Sequence, residues 1–198
     1  SMSTSWEFFM NLSGQDFPLK SQKEFRAFLK KHRGKDFLKV SDQRVVRPGT
    51  LGRIEEYCVE LGDTIFRTVI KRRFLKNVTP YIGNQWMILS RSFCEFLRDS
   101  DEVKRFETFY KHTFIADEGF FQTVIMNTSY TPTIVNDDMR AIDWIPEGTI
   151  KLRPRTFTFR DAKFLIKSAH LFARKFDETV DADILTVLEK HLVARAAH

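Results

Sequence analysis

The sequence predicts a mixed α/β protein, on three observations. Two short apolar runs, residues 6–12 and 86–89, have strand character and lie beside turn-forming residues. Amphipathic stretches open on capping signals and bury one face. These helices cluster behind the short strands, a pattern that mixed α/β chains show. The 198-residue length suits one domain spanning 1–198, large enough to bury a core without disulfide staples.

The elements follow in order. Ser1-Met2 reads as a tag remnant. Trp6-Glu7-Phe8-Phe9-Met10-Asn11-Leu12 reads as a buried strand ending at the polar turn Ser13-Gly14-Gln15-Asp16. Ser21-Gln22-Lys23-Glu24 is a capping box, and Phe25, Phe28 and Leu29 share one face of the helix it opens, which stops at Gly34. From Phe37 to Thr79 the pattern is broken by Pro48, Gly49, Gly52 and Gly62, and no element stands out. The cations Arg67, Lys71, Arg72, Arg73 and Lys76 read as a solvated face or connection. Gly83-Asn84-Gln85 turns into a strand over 86–90, followed by a helix bearing Phe93, Phe96 and Leu97. A helix over 101–113 places Phe106, Phe109 and Tyr110 at core spacing. Asp117-Glu118 opens the next, and two more start after Thr158 and Asp181.

Hydrophobic residues make up 42% and charged residues 29%, which excludes a disordered or collagen-like chain. Phenylalanine is over-used, with 20 copies against 3 Trp and 4 Tyr, and most of these rings are expected in the core. The two cysteines, Cys58 and Cys94, form no disulfide framework and no C-x-x-C zinc pair. No apolar run approaches the ~20 residues of a membrane span, and the N-terminus has no signal-peptide h-region. The compartment is not encoded; a cytoplasmic bacterial protein fits. The net charge of +6 favours an anionic ligand, whether nucleic acid, a phosphorylated donor or a membrane surface. Nucleic acid is disfavoured because the aromatics fall at core periodicity and no RNA-binding signature occurs.

Two constellations can carry chemistry. Asp117-Glu118 sits between a loop and a strongly apolar helix. Its plain reading is acidic charge at a helix N-terminus, and its functional reading is a desolvated carboxylate serving as general base. In Phe172-Ala173-Arg174-Lys175-Phe176-Asp177, two cations stand between phenylalanines four apart on one helical face. They are either surface charges beside core rings or a diphosphate site, to which Arg153 and Arg155 can add. Asp99-Ser100-Asp101 and Asp181-Ala182-Asp183 spell D-x-D but read as helix caps. The histidines show no ligand spacing, so no metal is expected.

These motifs resemble a known family. Residues 5–20, SWEFFMNLSGQDFPLK, are similar to the segment that opens the acceptor half of the core-2/I-branching beta-1,6-N-acetylglucosaminyltransferases, whose superfamily includes the peptide O-xylosyltransferases. Gly83-Asn84-Gln85-Trp86 with Leu89-Ser90-Arg91, Ala116-Asp117-Glu118 with Phe121 and Thr123, Trp144, Asp161, and Leu171 to Asp177 follow in the family's order. The resemblance implies a GT-A-like mixed sheet flanked by helices. It implies an inverting, metal-independent transfer of N-acetylglucosamine or xylose from a UDP-sugar to a glycan or glycoprotein acceptor. Glu118 is then the base. Arg174 and Lys175, with Arg153 or Arg155, neutralise the donor diphosphate. Trp144, with Gln85, Trp86 and Asp117, faces the acceptor, although Trp86 also reads as core.

Two departures stand out. The family's nucleotide-binding half normally precedes the strand at Trp6 and is not among these residues. Gln85 occupies a position that in xylosyltransferases resembles a catalytic Asp, and an amide cannot act as a base, which disfavours xylosyl transfer. A non-catalytic glycan- or protein-binding module is the alternative reading.

Overall fold

The computed structural model describes residues 5–147 and 151–196; Ser1, Met2 and His198 lie outside these. The chain packs as two compact units, Ser1–Met10 with Gly34–Asp138, and Asn11–Arg33 with Met139–His198. Both mix strands and helices, the α/β content that the sequence predicts.

The first unit is built on a four-stranded sheet in the order Phe8–Met10, Met87–Ser90, Asp36–Leu38, Ile134–Val135. The first two pairings are antiparallel and the last is parallel. Both central strands are buried throughout, so they read as continuous apolar runs rather than as alternation. Strand Phe8–Met10 lies at the edge, and Phe9 is 45% exposed, so the expectation of a buried first strand is corrected. Ser90 ends its strand and caps helix Arg91–Asp99, its Oγ accepting from Phe93 N. Ser100 does the same for helix Asp101–Tyr110, while Asp99 pairs with Arg98 and Asp101 with Lys104. The first D-x-D is therefore a cap between two helices. Leu38, Met87, Leu89, Phe93, Phe106, Val124 and Ile125 pack into one core.

The segment that the sequence leaves unplaced folds as short helical turns, Gln43–Val46, Pro48–Thr50 and Gly52–Glu55, followed by the hairpin Glu56–Leu61/Thr64–Lys71. Strand Thr64–Lys71 is exposed on both faces, so no hydrophobic period marks it. Arg67, Lys71, Arg73 and Lys76 are exposed as expected, whereas Arg72 turns inward.

The second unit centres on a three-stranded sheet in the order Arg140–Ile142, Phe172–Arg174, Asp16–Pro18, parallel then antiparallel. Leu19, Phe157, Leu165, Ala173, Phe176, Ile184 and Leu188 form its core. Ser21 and Glu24 make both bonds of the capping box, and the helix they open is Gln22–Lys31. Gly34 follows with φ +73°, a left-handed position that glycine adopts without penalty. Thr158 and Asp161 form a second box ahead of helix Ala162–Lys167. Asp181 accepts from Ile184 N at the start of helix Asp183–Ala196, so the second D-x-D is also a cap. Segment 172–177 is not helical: Phe172–Arg174 is the central strand. Phe172 packs edge-on against Phe25, and Phe176 against Phe17 and Phe157.

Phenylalanine fills less of the core than its number suggests. Phe37, Phe93, Phe106, Phe157, Phe172 and Phe176 are buried, while Phe9, Phe66, Phe159 and Phe164 are about half exposed. Among the described residues no helix is long and apolar enough to cross a membrane.

Candidate functional site

In the first unit, two sequence motifs far apart in the chain meet. Loop 83–86 leads into the buried strand Met87–Ser90, and the 3-10 turn Ala116–Glu118 leads, through Gly119, into helix Phe120–Met126. Gly83 N donates to Glu118 O at 2.8 Å, and Gln122 Nε2 donates to Asn84 O at 2.8 Å. Asn84 Nδ2 reaches the buried Asp138, and Asn84 Oδ1 accepts from Trp86 N. Gly83 is required here by close approach: a Cβ would lie 1.9 Å from the Lys39 carbonyl oxygen. Asp117 and Glu118 thus sit in a turn before the apolar helix, not in its first α-turn. Ile115, which enters that turn, has φ +55°, costly for a β-branched residue and a mark of local strain.

The Glu118 carboxylate is about 29% exposed and held by cations. Arg53, from the short helix Gly52–Glu55, donates to Oε2 at 2.7 Å, and an Arg47 Nη1 lies 4.0 Å from the same oxygen. Arg47 also donates to Gly83 O at 3.5 Å, so it touches both motifs. These contacts fix the orientation of the carboxylate. Gln85 and Asp117 are exposed, whereas Trp86 is buried. Trp86 is 6% exposed, the core reading that the sequence also allows, and Gln85 is the member of the loop that reaches solvent.

The remaining candidates lie in the second unit. Arg174 is largely buried, with Nε 3.6 Å from Asp16 Oδ1, and Arg140 approaches the same carboxylate. Burial pulls the Arg174 guanidinium below the usual arginine range, with Asp16 opposing. Lys175 follows, partly buried. Arg155 donates to both Asp161 oxygens at 2.9 Å and to Asp143 Oδ2 at 2.7 Å, and these bonds raise its pKa. Arg155 is therefore a strut between two acids, with little left to offer a diphosphate. Arg153 is exposed on the hairpin Trp144–Glu147/Lys151–Pro154, where Trp144 also stands, 44% exposed. Of the two alternatives upstream of the motif, Arg153 is the more exposed to a ligand. Among the described residues no group of three or more His, Cys, Asp or Glu is gathered that could hold a metal.

A family model described as Core-2/I-Branching enzyme matches residues 1–165. The chain belongs to the Core-2/I-branching enzyme family. Its mixed α/β architecture is consistent with the GT-A-like fold of that family. Similar curated proteins include xylosyltransferase 2 of Homo sapiens and of Pan troglodytes, each 30% identical over 206 residues that cover 95% of this chain. Xylosyltransferase 1 of Rattus norvegicus is 29% identical over 205 residues. The chain spans about a quarter of the length of these relatives. Of the two names that the sequence resemblance raised, the branching enzymes recur in the family model and the xylosyltransferases among the similar proteins.

Sequence reasoning missed Arg53, Arg47 and the role of Asn84. The two arginines lie in the stretch broken by glycine and proline, where four-residue helices leave no period to read. Asn84 is visible as part of a motif, but only the folded chain shows it tying Trp86, Gln122 and Asp138 together.

Proposed function

We propose that this chain forms the acceptor- and diphosphate-binding portion of an inverting glycosyltransferase, which moves xylose or N-acetylglucosamine from a UDP-sugar to a hydroxyl of a glycan or glycoprotein. The observation that carries this reading is the junction of loop 83–86, with its exposed Gln85, and the turn holding Glu118, where Arg53 fixes a half-buried carboxylate. Glu118 removes the acceptor proton as the oxygen attacks the anomeric carbon from the face opposite the leaving UDP. Arg174, Lys175 and Arg153 offset the charge that builds on the diphosphate, a task suited to fixed cations without a metal. Trp144 offers a flat apolar face to the acceptor.

A second reading has support of its own. The 2.7 Å Arg53–Glu118 bond also suits a structural ion pair, which a non-catalytic glycan-binding module would retain. Incubating the full-length protein with UDP-xylose or UDP-N-acetylglucosamine and a panel of acceptors separates the two. The catalytic reading expects transfer with inverted anomeric configuration, read by proton NMR. Glycan binding with no transfer and no donor hydrolysis would establish the module instead, and a retained configuration would overturn the inverting mechanism.

A further inference from the structure

A second charged site, built from other residues than those proposed for the diphosphate, lies in the first unit. A cavity of about 580 Å³ is lined by Arg44, Lys71, Arg72 and Arg73 around the apolar side chains of Leu51, Ile54 and Phe74, with Glu55 as its one carboxylate. Such a volume falls within the range of small-molecule sites and far exceeds what a bare phosphate fills. Lys71 is already paired with Glu56 at 2.9 Å. Among the described residues no ion pair joins Arg44, Arg72 or Arg73 to a carboxylate.

Arg72 shows why this matters. It is half buried and donates to Ile54 O at 3.1 Å, Phe109 O at 2.7 Å and Thr113 Oγ1 at 2.5 Å, with its guanidinium 3.9 Å from the centre of the Phe109 ring. All of these partners are uncharged, so the structure fixes a desolvated positive charge in the cavity wall without neutralising it. Burial lowers its pKa accordingly. The exposed Arg44 and Arg73 add charge to the lining, and Phe74, held edge-on by Phe109 and Tyr110, offers a fixed ring. Arginine suits tetrahedral oxyanions because its donors form a fork. Aromatic and aliphatic faces suit the C–H face of a sugar.

We propose that this cavity binds a sugar bearing a phosphate or sulfate ester, with Arg72 and Arg73 on the oxyanion and Phe74 against the ring. The site is independent of any role for Glu118, although it shares helix Gly52–Glu55, which sends Arg53 to Glu118 and Ile54 into the cavity.

The test is calorimetric titration of this chain with glucose 6-phosphate, N-acetylglucosamine 6-sulfate, glucose and inorganic phosphate. Binding of the phosphorylated or the sulfated sugar, tighter than inorganic phosphate and absent for glucose, supports the site and tells the two esters apart. The Arg44→Ala/Arg73→Ala double variant should lose at least tenfold in affinity, while Lys175→Ala and Glu118→Gln keep it. Because Arg72→Ala can unfold the chain locally, Arg73→Glu serves as the second variant, expected to abolish binding with an unchanged circular dichroism spectrum. Binding that survives Arg73→Glu, binding lost instead with Lys175→Ala, or no preference of either ester over glucose would overturn the proposal.

Discussion

Gly83→Ala gives the sharpest test of how the two motifs are joined. The added methyl would lie 1.9 Å from the Lys39 carbonyl oxygen, 2.9 Å from the carbonyl carbon and 3.0 Å from Gln122 Nε2. Two of these three atoms are backbone and cannot rotate away, so either loop 83–86 or the 39–40 segment must move. Overpacking of this kind costs about 1–3 kcal/mol, and a rigid backbone neighbour puts it at the upper end. The entropy that alanine removes from the unfolded chain returns roughly 0.4–1 kcal/mol, leaving a net loss of about 2 kcal/mol. For a chain of this size that corresponds to a fall in Tm of roughly 4–8 °C. Thermal unfolding followed by circular dichroism reads it directly. Gly14→Ala is the matched control, because nothing lies within 4 Å of the place its methyl would take, and its Tm should stay within about 2 °C of the parent. If Gly83→Ala unfolds with the parent, the close approach of Gly83 to the Lys39 carbonyl and to Gln122 is wrong.

Other consequences can be checked separately. Lys175→Ala should weaken pyrophosphate binding by roughly 1.5–3 kcal/mol, and added salt should weaken it in the parent; calorimetry showing neither would place the diphosphate elsewhere. Arg155 lowers the Asp161 carboxyl below the ordinary 3.8, with Thr158 assisting against desolvation. That stabilisation is present above the unfolded value and is lost as pH falls through the lower folded one. Arg155→Ala should therefore flatten the acid limb of stability below about pH 4, measured by urea unfolding, whereas an unchanged limb would remove the strut. Asp36 is raised by burial, so its ionised form is disfavoured in the folded chain. Asp36→Asn, which can still accept from Ser90 N, should leave Tm unchanged or raise it, whereas Asp36→Ala should lower stability by about 1–3 kcal/mol through unpaired polar groups.

Local chemistry made much of this fold legible. The Ser21/Glu24 and Thr158/Asp161 boxes and the serines at 90 and 100 start helices where their side chains can cap, whatever lies around them. Spacing misleads where tertiary pairing decides. Phe172 and Phe176 are four apart, which suits a helix, but the sheet claims Phe172–Arg174 between two partners. Trp86 reads equally as ligand platform and core residue until its neighbours are known. The Glu118 motif is visible as residue types, yet its partners are not. Arg53 lies 65 residues away, in a helix of four residues, and no periodicity reports such a contact. The same holds for the basic cavity: its cations are plain in the sequence as a charged run, and only folding turns Arg72 inward.

The central claim is that Glu118 takes the acceptor proton, and its direct measurement is steady-state sugar transfer by the full-length protein carrying Glu118→Gln. Glutamine keeps the size of the side chain and can still meet Arg53 through its carbonyl oxygen, so circular dichroism and Tm should change little. The account predicts a fall in kcat of at least ~100-fold with a small change in the acceptor KM. Near-parental kcat in a folded Glu118→Gln enzyme would contradict it.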